Sequence, residues 1–66
     1  MNELRFKLYN TMWDLIYKDI SELNKNEIIL WNKAITLLEN ILKEGGCREL
    51  NEEERELISE VYILFE

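Results

Sequence analysis

Histidine and proline are absent from this 66-residue chain, glycine occurs twice and cysteine once. Each gap removes a chemistry. Without His, a general acid or base has to be a carboxylate, Lys, Tyr or Cys47, and none of these is paired in sequence with a plausible helper. Cys47 follows two glycines, but Glu44 and Glu49 beside it disfavour a thiolate, which makes it a poor nucleophile. A lone Cys forms no intramolecular disulfide, and without His or a second Cys no zinc set exists. Gly45-Gly46 is too short to cradle a phosphate and lacks the Lys-Ser/Thr that would follow. The chain is expected to be no enzyme and to hold no cofactor, metal or small-molecule substrate.

Long apolar runs are also missing. The run Ile28 to Trp31 is short, and charged residues interrupt the apolar 47% throughout, so neither a membrane span nor a signal peptide is expected. A lone thiol and no export signal favour a reducing, cytoplasmic setting. The net charge of −6 is unevenly placed. Residues 1–43 carry six basic and six acidic side chains, whereas residues 44–66 carry two basic and eight acidic ones. A phosphate-binding surface needs the opposite, a concentrated basic stripe, so direct nucleic-acid binding is not expected.

What the chain does contain is helical periodicity. Phe6, Tyr9, Met12, Trp13, Ile16, Ile20 and Leu23 recur at steps of three and four and predict a first helix over 3–23. Asn24 with Glu27 forms a capping-box pattern ahead of Ile28, Trp31, Ala34, Ile35, Leu38, Ile41 and Leu42, which predicts a second helix over 25–44. Gly45-Gly46 supplies the positive φ that a helix end commonly needs. Asn51 with Glu54 repeats the capping box, and Glu52, Glu53 and Glu54 favour the positive end of a helix dipole. A third helix is predicted over 52–65, its core face formed by Leu57, Ile58, Val61, Tyr62, Leu64 and Phe65. Short links favour antiparallel neighbours, hence a single all-α domain, residues 1–66, arranged as a three-helix up-down-up bundle.

The apolar faces are wide. At 100° per residue that of the first helix spans roughly 220°, against the roughly 100° of a helix packed on one core. Either this helix lies between the other two, or part of the arc meets another chain. Leu4, Leu8 and Leu15 form an edge strip, set apart from a central Tyr9, Trp13, Ile16 and Ile20, and are the expected self-association residues. Ile29 and Ile63 fall outside the faces of their helices. Trp13 and Trp31 read as core residues whose indole N–H groups need acceptors. A chain too small to bury much of its surface, and without a disulfide or metal, is expected to complete itself as a homodimer.

Glu52, Glu53, Glu56 and Glu60 fall on one side of the third helix, with only Arg55 to offset them. Such a row is either a solvating face or a contact surface for a basic partner. The leading functional expectation is a small acidic adaptor or inhibitor, of the kind mobile elements encode, that binds another protein and does no chemistry. The alternatives are a small transcriptional regulator contacting DNA, and an inhibitor whose acidic face imitates nucleic acid.

Overall fold

A computed structural model of the chain describes residues 3–46 and 48–66. Among these it has three helices and no strand: α1 (Glu3–Ile16), α2 (Lys25–Lys43) and α3 (Glu52–Ile63). The all-α fold expected from the periodicity is observed. Both capping boxes form. Asn24 Oδ1 accepts from the Glu27 N–H at 2.9 Å, and Glu27 Oε1 accepts from the Asn24 N–H at 2.9 Å. Asn51 and Glu54 repeat the exchange at 2.9 and 2.8 Å. Each box satisfies two donors that a helix start otherwise leaves unpaired.

α2 ends at the two glycines. Gly45 and Gly46 have φ of 110° and 67°. The Gly46 N–H donates to the Ile41 carbonyl at 2.9 Å and the Gly45 N–H to that of Leu42 at 3.1 Å, the bonding pattern of a Schellman motif. A Cβ on Gly46 would lie 2.8 Å from Arg5 Cγ, so the missing side chain also lets the start of α1 come close.

The first helix is shorter than its periodicity predicts, ending at Ile16 rather than near residue 23. Two polar contacts replace helical bonding there. The Leu15 carbonyl accepts from the Trp31 indole N–H at 2.8 Å and from the Lys18 N–H at 3.2 Å. Asp19 Oδ1 accepts from the Ser21 N–H at 2.9 Å, a side-chain bond that offers the backbone an alternative to the helix. Ile20 and Leu23 remain half-buried, so their spacing reflects inward-turned loop residues rather than a continuing helix. The last residues of the chain differ less: Leu64, Phe65 and Glu66 continue α3 as a tighter turn, each N–H bonding three residues back.

α2 packs against both α1 and α3. The middle position that the width of its apolar face suggested for the first helix therefore belongs to α2. The core comprises Leu8, Met12 and Leu15 from α1, Ala34, Leu38, Ile41 and Leu42 from α2, and Ile58 and Val61 from α3. Half-buried side chains, among them Leu4, Trp31, Leu57 and Tyr62, pack around it. Tyr62 near the end of α3 donates its hydroxyl to Asp14 Oδ2 near the end of α1 at 2.8 Å. Burial of the ring, then that bond and the Asp14 charge, push the Tyr62 phenol up to about 12 and keep it a donor.

The molecule extends 36 × 22 × 19 Å with a radius of gyration of 11.8 Å. A compact 66-residue domain would have about 10.8 Å. Its accessible surface is 4910 Å², against about 4,450 Å² expected for a monomer of this mass. Some surface that a larger fold would cover is left outside.

Candidate interaction surface

Among the described residues, large apolar side chains are exposed on all three helices: Phe6, Tyr9, Trp13 and Tyr17 along and just past α1, Ile29 on α2 and Ile63 on α3. The wide apolar arc of α1 divides lengthwise into an aliphatic half that faces α2 and an aromatic half that faces solvent. Leu8 is 4% exposed and Leu15 0%, whereas Phe6 is 56%, Tyr9 41%, Trp13 44% and Tyr17, one residue beyond the helix, 80% exposed. A helix packed chiefly on one neighbour can bury only part of an arc of roughly 220°. The aliphatic half is the one buried because it carries no polar atom that needs a partner in the interior. The Tyr hydroxyls and the Trp13 indole N–H are better placed at the surface.

These positions place the expected seam residues inside a single chain. Leu8 and Leu15 belong to the core of a single chain and offer nothing to a second, and Leu4 is half-buried against the same core. Tyr9 and Trp13, expected at the centre of the buried face, lie outside it. Trp31 is half-buried with its indole bonded to the Leu15 carbonyl, as a core tryptophan requires.

The aromatic residues, spaced by three, four and four, form one row about 16 Å long. Their neighbours hold them in place. The Trp13 and Tyr17 rings stack with centroids 5.6 Å apart. The Arg5 guanidinium lies over the Tyr9 ring at 5.9 Å. Beyond the row, Lys18 sits 5.8 Å from the Tyr62 ring centre and 5.9 Å from that of Phe65, fastening the loop after α1 to the end of α3. From its first described residue to Tyr17 the α1 segment has two acidic and two basic side chains, Glu3 and Asp14 against Arg5 and Lys7.

Of the four glutamates expected on one side of α3, Glu53 lines a groove towards α2 instead. Glu52, Glu53, Glu56 and Glu60 are all exposed, and Glu52, Glu56 and Glu60 share the outer side of α3 with Arg55, Ser59 and Ile63. Glu54 turns the other way. Its carboxylate takes two bonds from the Arg48 guanidinium, each 2.8 Å, while also closing the cap on Asn51. The hydrogen bonds from Arg48 first, and the backbone bond from Asn51 second, hold the Glu54 carboxyl down at about 2. Only the capping half of this arrangement is readable from spacing; the Arg48 pairing follows from how the loop before α3 folds back.

An open groove of about 620 Å³ lies between α2 and α3, its apolar lining formed by Ile29, Leu37 and Leu57. Ile29 falls outside the core face of its helix and is 56% exposed here. Cys47 lies outside the described residues. Among those described, no cluster of acidic side chains is arranged to hold a metal ion, and no helix is long and apolar enough to cross a membrane. No family model matches the chain, and neither a curated protein nor a solved structure shows significant similarity to it.

Proposed function

We propose that this protein is a small cytoplasmic, non-enzymatic interaction module that pairs with a second copy of itself through the aromatic side of α1. The observation that carries the reading is the row Phe6, Tyr9, Trp13 and Tyr17, four large aromatic side chains exposed together along one line. Aromatic side chains dominate the energetics of protein interfaces, and a monomer this small has little reason to keep four in one line at its surface.

Area and charge favour a second copy as the occupant. With aromatic side chains of 150–250 Å² each, the exposed fractions offer on the order of 500 Å² per chain, hence about 1,000 Å² between two. Flanking residues on each chain need to add only a little to reach the roughly 1,200 Å² at which stable interfaces begin. The α1 segment is neutral, so two such faces meet without net repulsion, whereas two α3 faces, each with its glutamate row, would repel. The bundle supporting the row is read as up-down-up. Leu15 meets Trp31 where α1 ends and α2 begins, Arg5 meets Gly46 at the opposite end, and Tyr62 meets Asp14 where α3 and α1 both end.

Sedimentation across a micromolar dilution series tests the proposal. The wild-type chain should approach twice its mass as concentration rises. Phe6→Ser with Tyr17→Ser, both at exposed positions, should keep full helicity and remain monomeric at concentrations where the wild type pairs. A wild-type monomer throughout, or a dimer that survives the double substitution, would reject the aromatic face as the seam.

A further inference from the structure

We draw no further inference here: the strongest candidate, the open groove between α2 and α3 with Ile29, Leu37 and Leu57 in its apolar lining, carries nothing because no observation in the structure shows what covers it.

Discussion

At the scale of single residues, Arg48, Asn51 and Glu54 meet at the start of α3. One carboxylate accepts both guanidinium bonds and the backbone N–H of the residue it caps. Its folded pKa of about 2 lies below the ordinary 4.5, so the folded state favours the charged form. The stability this contributes is complete above the ordinary value and is lost as pH falls from about 4.5 towards about 2. Urea unfolding followed between pH 6 and pH 2 should show a decline through that window, and Glu54→Gln should flatten it. The decline will be modest, because Arg48 is half exposed and solvent screens the pair. An unchanged pH profile in Glu54→Gln would mean that other carboxylates govern acid stability.

At the scale of elements, α1 shows where sequence reading ends. The starts of α2 and α3 and the close of α2 were legible because each depends on side chains within a few residues: Asn24 with Glu27, Asn51 with Glu54, and the glycine pair. The apolar faces of α2 and α3 were legible too, since Ala34, Leu38, Ile41 and Leu42, and Ile58 and Val61, all picked out by spacing, are the residues buried there. α1 is different. Its aliphatic and aromatic halves satisfy the same periodicity, and what decides between them is the position of α2, which spacing does not record. Its end was hidden too, because the Leu15 carbonyl is satisfied by Trp31, sixteen residues away. The two halves should differ sharply on substitution. Leu15→Ala removes a fully buried side chain and should cost about 2–5 kcal/mol, much of the roughly 3–10 kcal/mol available to a domain of this length. Tyr17→Ser should change monomer stability by less than about 0.5 kcal/mol. Chemical denaturation of the two variants at low concentration checks the contrast, and similar losses for both would return Tyr17 to the core.

At the scale of the whole molecule, three helices of 14, 19 and 12 residues build a core of nine buried side chains among the described residues, with the aromatic row of α1 outside it. The surface is divided by character as well: a neutral aromatic side on α1, an acidic side on α3, and an apolar groove between α3 and α2. The central claim is that Trp13 is at the surface of the monomer and becomes covered when two chains meet. Trp31→Phe leaves Trp13 as the single tryptophan, so its emission and its quenching by acrylamide report on that position alone. Measured from nanomolar to tens of micromolar protein, with helicity verified at each end, Trp13 should be readily quenched when dilute and become protected, with emission shifting to the blue, as the mass doubles. Quenching that stays constant while the chain remains monomeric, or a Trp13 already protected at the lowest concentration, would contradict the account.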